Sequence, residues 1–202
     1  MRAASLALLS VLGLGVATDA HATLIRYGAH LTGASESPPN ASPGTGVARV
    51  DVDTVGQTMR VRVTFSDLLG TTTASHIHCC TAVPLTGTAS VATTTPTFAG
   101  FPLGVTSGSY DLTLDMTQAS SYNPSFVTAN GGTTAGAEAV LFAGLAAGEA
   151  YLNIHSALFP GGEIRGFLNV PEPASIAIFG LGLAFLGLIR FRRRALPESA
   201  VI

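Results

Sequence analysis

Apolar and polar residues alternate with a period of two along most of the chain between residues 24 and 169. That spacing marks half-buried β-strands, whose successive side chains point to opposite faces. Strands are expected at 24–31, 47–53, 59–65, 74–80, 110–116, 149–156 and 163–169. In the second, Ala48, Val50 and Val52 oppose Arg49, Asp51 and Asp53; in the third, Met59, Val61, Val63 and Phe65 oppose Arg60, Arg62 and Thr64. The two read as a hairpin with one wet face, on which Asp51/Asp53 and Arg60/Arg62 form cross-strand pairs worth a few tenths to about 1 kcal/mol each.

The rhythm is interrupted in three places. Residues 33–46, rich in Ser, Pro, Gly and Asn, read as a loop. Residues 81–109 form a longer polar insertion whose Phe98 and Phe101 are expected to cover the end of the core; the alternative is that they fold over the histidines described below. Asn123 followed by Pro124 is a helix-start signal, so 124–130 is expected to be a short helix stopped by Gly131 and Gly132, and 134–145 a second one. The expected fold is an antiparallel β-sandwich or barrel with one or two short helices across one end.

The ends of the chain differ from this middle. Arg2, the apolar run 3–16 and the small-residue site Ala20-His21-Ala22 predict a secretory signal peptide, residues 1–22, removed by signal peptidase. After Pro171-Glu172-Pro173 comes an apolar stretch, 174–189, then Arg190, Arg192, Arg193 and Arg194, and a short tail to 202. This predicts a single transmembrane helix, with residues 195–202 as a cytoplasmic tail and the domain outside the inner membrane. Residues 23–170 between these segments are enough for one domain.

Composition narrows the partners. All ten basic residues are arginine, and residues 23–170 hold five of them against nine acids, a balance of −4. No basic groove for nucleic acid is expected from such a balance. Nor is there a strand leading into a glycine-rich phosphate loop.

The candidate chemistry is concentrated in Ala74-Ser75-His76-Ile77-His78-Cys79-Cys80. On a strand, His76 and His78 share one face, and on 149–156 His155 falls on the same face as Asn153. If the two strands are neighbours, three imidazoles converge. That set suits copper or zinc, with Glu163 or Asn153 as outer support. The other reading is that the histidines hydrogen-bond to backbone and to Glu163, locking the sheet. In an oxidising compartment Cys79 and Cys80 are expected to pair, although adjacent Cα atoms at about 3.8 Å lie closer than the usual disulfide range. A vicinal disulfide, an interchain bridge, metal ligation and inert thiols all remain open on sequence alone.

Two family resemblances follow from these residues. The segment around His76-Ile77-His78, the later Ala150-Tyr151-Leu152-Asn153-Ile154-His155 and Gly161-Gly162-Glu163-Ile164-Arg165-Gly166 resemble the CHRD domain, the module first described in chordin, over residues 23–170. That resemblance implies an all-β, immunoglobulin-like or barrel-like fold and association with cell-surface material or extracellular polysaccharide. The tail 171–194, with Pro171, Glu172 and Pro173 as its motif, resembles the PEP-CTERM protein-sorting signal. It implies export across the inner membrane of a Gram-negative bacterium and processing by an exosortase-type protease. Together these readings describe a noncatalytic surface or matrix module that binds a metal ion. The alternative is a His-coordinated oxidoreductase resembling superoxide dismutase.

Overall fold

A computed structural model describes residues 24–171. The signal peptide expected at 1–22 and the transmembrane span expected at 174–189 lie outside the described residues. Among those described, no helix is long and apolar enough to cross a membrane.

The strands are β1 (Leu24–Thr32), β2 (Thr45–Asp53), β3 (Thr58–Ser66), β4 (Thr72–His78), β5 (Gly108–Asp115), β6 (Tyr151–Ser156) and β7 (Ile164–Phe167). All pair antiparallel in one seven-stranded sheet of order β4-β6-β7-β1-β2-β3-β5. Of the expected sandwich or barrel, the structure shows a single curled antiparallel sheet, a half-barrel. Its concave side is closed by inserted segments instead of a second sheet. Leu31, Val50, Val61, Ile77, Leu152, Ile154 and Ile164 line that side without solvent exposure.

The long segment between β4 and β5 supplies part of the filling. Phe98 stacks on Tyr110 at 5.6 Å and Phe101 on Phe65 at 5.7 Å, so both rings serve the core as expected. The same segment covers the free edge of β4: Ala92 N donates to Ile77 O, Cys79 N to Ser90 O and Phe98 N to Ser75 O. Strand edges left bare invite association with other chains, and here the insertion occupies that edge.

Helix α1 (Pro124–Ala129) starts where Asn123 accepts from Ser125 N, and α2 (Thr134–Ala147) starts where Thr133 accepts from Gly136 N and ends at left-handed Gly148. Leu141 and Leu145 of α2 are fully buried. Cys79 and Cys80 are joined in a vicinal disulfide across a cis peptide, with Cα atoms 3.0 Å apart; the larger spacing expected above belongs to a trans peptide. Gly144 of α2 packs directly on this bridge, and a Cβ there would overlap both sulfurs. Gly144→Ala is expected to destabilise the domain by about 1–3 kcal/mol in urea denaturation, although alanine is intrinsically the better helix former by about 1 kcal/mol.

The expected β2–β3 hairpin forms, and on its convex face Asp51 lies opposite Arg60. Of the expected cross-strand ion pairs, Asp51–Arg62 forms, while Asp53 and Arg60 find other partners. Asp51 accepts from Arg26 on β1 and diagonally from Arg62, while Arg60 turns to β5 and holds Asp111 through two bonds of 2.8 and 2.6 Å. Asp53 accepts from Val55 N and Gly56 N and closes the turn. The reason is that β3 has a second neighbour, β5, whose Asp111 takes Arg60 while Asp51 is claimed by Arg26 and Arg62.

Candidate metal centre

β4 and β6 are neighbours, with His76 opposite Asn153, His78 opposite Tyr151 and Ala74 opposite His155. Alternation along both strands puts the three histidines on the convex face, while Ile77, Leu152 and Ile154 point into the core. Ring centroids of His76 and His155 lie 5.3 Å apart, and His78 is 5.9 Å from each. One ring nitrogen of each histidine lies within 4.8 Å of those of the other two. Nitrogens sharing an ion at bonds of about 2.0–2.1 Å sit roughly 3.3–3.6 Å apart, so the rings need to close by about 1 Å.

Although on the outer face, the cluster is covered. His76 and His78 are 6% and 8% exposed. The covering segments also orient the rings: His76 Nε2 meets the carbonyl of Pro96 at 2.7 Å, His78 Nδ1 that of Ala89 at 2.9 Å, and His155 Nδ1 that of Pro160 at 2.9 Å. A carbonyl only accepts, so the engaged nitrogen of each ring carries the proton. The opposite nitrogens, His76 Nδ1, His78 Nε2 and His155 Nε2, are then bare lone pairs, and each is buried without a partner. A ligating histidine commonly has its other nitrogen tied in this manner.

Electrostatics keep the rings neutral. Burial pushes the pKa of His76 below its usual 6.5, with a smaller push from His155, against the support of the Pro96 carbonyl. Burial likewise lowers His155 against the Pro160 carbonyl. His78 falls to about 4, first through burial and then through the other two histidines and Arg165, opposed by the Ala89 carbonyl.

A supporting layer surrounds His78. Tyr151 stacks on it with centroids 4.8 Å apart and planes 7° apart, and its hydroxyl lies 3.2 Å from both the Ala89 carbonyl and the Ala89 N–H. Arg165 lies 4.8 Å from the Tyr151 ring centroid, donates to the carbonyls of Ser35 and Gly87, and faces Glu36 at 3.8 Å. Burial raises Glu36 to about 7, opposed by Arg165, the Ser37 N–H and Asn153.

The two expected outer partners are placed elsewhere. Glu163, fully buried, accepts from Ser42 Oγ, Leu69 N and Gly70 N and ties two loops to the start of β7; among the described residues no hydrogen bond joins it to a histidine. Asn153 sits beside His76 in the ladder, but its side chain approaches Gly162 and Glu36. Both thiols are consumed in the disulfide. Tyr151 and Arg165 were not singled out by sequence as site residues; the signal available was their parity, since both share a strand face with Asn153 across β6 and β7.

Two of the three glycines of Gly161-Gly162-Glu163-Ile164-Arg165-Gly166 have structural reasons. A Cβ on Gly166 would run into the His30 carbonyl of β1, and one on Gly162, at φ 133°, into Asn153 and Glu36.

The CHRD domain profile matches residues 27–168, and the PEP-CTERM protein-sorting motif matches residues 169–194. No curated protein and no solved structure matches the chain. The sorting motif implies export in a Gram-negative bacterium, sorting toward the cell surface and processing by an exosortase-type enzyme. With its profile spanning the sheet, both helices and the three-histidine cluster, the chain belongs to the CHRD domain family.

Proposed function

We propose that this exported, sorted CHRD domain is a noncatalytic surface module that holds one copper or zinc ion on His76, His78 and His155. The observation that carries this reading is the set of three buried imidazole nitrogens without partners on rings whose other nitrogens are fixed by backbone carbonyls. A cluster held only by hydrogen bonds would leave no need for three buried acceptors without partners, each costing about 1–3 kcal/mol. Imidazole suits copper and zinc, and the donor set is neutral, without thiolate or carboxylate.

Holding is favoured over turnover because each free nitrogen is shut off from solvent. An oxidoreductase of the superoxide-dismutase kind would need a position on the ion that substrate can reach. Association with extracellular polysaccharide belongs to the same proposal and rests on the family alone.

The test is a titration of the purified protein with Zn²⁺ and, separately, Cu²⁺ at pH 7.5. About one equivalent is expected to bind, and ion at 100 times its Kd adds about 2.7 kcal/mol, roughly 5–10 °C in Tm for a domain of this size. The His76→Ala/His155→Ala variant is expected to show no metal-induced rise. An equal rise in both proteins would sink the proposal.

A further inference from the structure

Residues 23–170 carry a balance of −4, yet their positive charge is gathered in one place. All five arginines, Arg26, Arg49, Arg60, Arg62 and Arg165, stand on the convex face, alternating with the core-facing residues of their strands. Four of them have an acidic neighbour: Arg26 and Arg62 share Asp51, Arg60 holds Asp111, and Arg165 faces Glu36. The side chain of Arg49 makes no ion pair or hydrogen bond among the described residues. In the ladder it lies directly opposite Arg62 on one side and Gly28 on the other. Like charges facing each other across strands destabilise a sheet, so Arg49 is a costly choice for the fold.

Gly28 is a second costly choice. A glycine inside a strand weakens it and often marks the close approach of a ligand. At Gly162 and Gly166 neighbouring atoms exclude a side chain, but a Cβ on Gly28 would meet nothing closer than Pro171 at 3.8 Å, an ordinary contact. The bare backbone at Gly28 is the floor of a cleft of about 770 Å³ on the convex face. Arg49 stands beside that floor and Arg26 on one wall. Asn169 pairs with Gly28, so in the same register Phe167 comes opposite His30, and these two form the other wall. Arg26 and Arg49 are diagonal neighbours, roughly 7–8 Å apart at the backbone.

The geometry points to this cleft as a binding site for an acidic polysaccharide, whose carboxylate or sulfate groups meet Arg49 and Arg26 while a sugar ring lies against Phe167. The inference rests on the polysaccharide association proposed above and gives it a place; it is independent of the metal ion, whose histidines lie on β4 and β6. A guanidinium is a planar fork that matches the oxygen pair of such an anion. An anion bound at Arg49 also offsets its opposition to Arg62. The cleft falls within the range of ligand sites, about 300–1,000 Å³, and its aromatic wall supplies a flat apolar surface beside the charged one.

The test compares the purified full chain, in a neutral detergent, with Arg49→Gln and Gly28→Val in titrations with alginate, which bears carboxylates, and with dextran sulfate. Dextran supplies sugar without charge, and poly-L-glutamate supplies carboxylates without sugar. Wild type is expected to bind at least one of the two acidic polysaccharides, and to bind dextran and polyglutamate at least ~10-fold more weakly, the equivalent of about one charged hydrogen bond. Each variant is expected to bind that polysaccharide at least ~10-fold more weakly than wild type. Their Tm is expected to stay at or above that of wild type, because one removes a like-charge opposition and the other places a β-branched residue in a strand. Failure of wild type to bind either acidic polysaccharide overturns the inference together with the association. Undiminished binding by both variants overturns the cleft alone and assigns the association to another surface. Equal binding of polyglutamate would make this a site for charge without carbohydrate, and weaker binding accompanied by a lower Tm would assign Gly28 and Arg49 to the fold; either result overturns the inference.

Discussion

Between pH 7.5 and pH 4 the metal-free wild-type domain is expected to lose about 3 kcal/mol more stability than a His78→Gln variant, measured by urea denaturation at each pH. The sign follows from the direction of the shift. His78 titrates at about 4 in the fold against 6.5 when free, so between those values the unfolded chain binds the proton and the folded chain does not. Its contribution is complete above pH 6.5 and is lost as pH falls through 6.5 toward 4. His76 and His155 are shifted in the same direction and steepen the wild-type curve further. Glu36 works the other way: its pKa is raised from 4.5 to about 7, so acidification across that window relieves the cost of its buried charge. Because Glu36 is present in both proteins, the comparison with His78→Gln cancels it to first order. Glutamine removes the titration while keeping an uncharged polar side chain of similar length. Parallel curves for the two proteins would mean that His78 is not held neutral by burial. On the proposed function, bound metal would add to the effect, since each ligand must be deprotonated to bind and the ion would be released on the same descent.

Much of this arrangement could be read along the chain, and the remainder depended on contacts between distant segments. The β2–β3 hairpin and the parity of its side chains were legible because period-two alternation is local. So were the start of the first helix, where Asn123 and Pro124 supply a cap signal, and the start of the second at Thr134, placed by the helical spacing of its apolar residues. The order of strands was not. Arg60 belongs with Asp111 because β5 returns to pair with β3 across the long insertion, and nothing in residues 59–65 announces that neighbour. The same limit left sandwich and barrel both open, since alternation fixes the face of each strand but not which strands share hydrogen bonds.

At the site, the convergence of His76, His78 and His155 was legible as a conditional statement: parity placed them on corresponding faces, and the adjacency of β4 and β6 met the condition. The three carbonyls that set their tautomers were not legible, because every residue has a carbonyl and only tertiary structure selects Ala89, Pro96 and Pro160. Glu163 was assigned to the histidines because a carboxylate is a common partner of a ligating imidazole. In the fold the N–H groups of Leu69 and Gly70 claim it first.

The largest effect of a single substitution is expected from Arg165→Ala, at about 3–5 kcal/mol of stability. Arg165 is 5% exposed and Glu36 is 7% exposed, so truncation leaves a buried carboxyl whose nearby positive charge is gone. It also strips a donor from the carbonyls of Ser35 and Gly87 and uncovers one face of Tyr151. Part of the charge penalty can be escaped, because Glu36 already holds its proton up to about pH 7 and would hold it higher without the guanidinium. The loss is therefore expected to be smaller at pH 5.5 than at pH 8. Arg165→Lys restores a positive charge but lacks the flat, forked donor that reaches two carbonyls while lying over a ring, so it should recover only part of the loss. The consequence for the metal centre runs through residues 87–89. Arg165 holds Gly87, Tyr151 holds Ala89, and Ala89 fixes the tautomer of His78. Loss of such outer support typically weakens metal binding by about 10–100-fold. Zn²⁺ titration of Arg165→Lys, the less damaged protein, should show a higher Kd at unchanged stoichiometry. Unaltered affinity together with the stability loss would confine Arg165 to holding the fold.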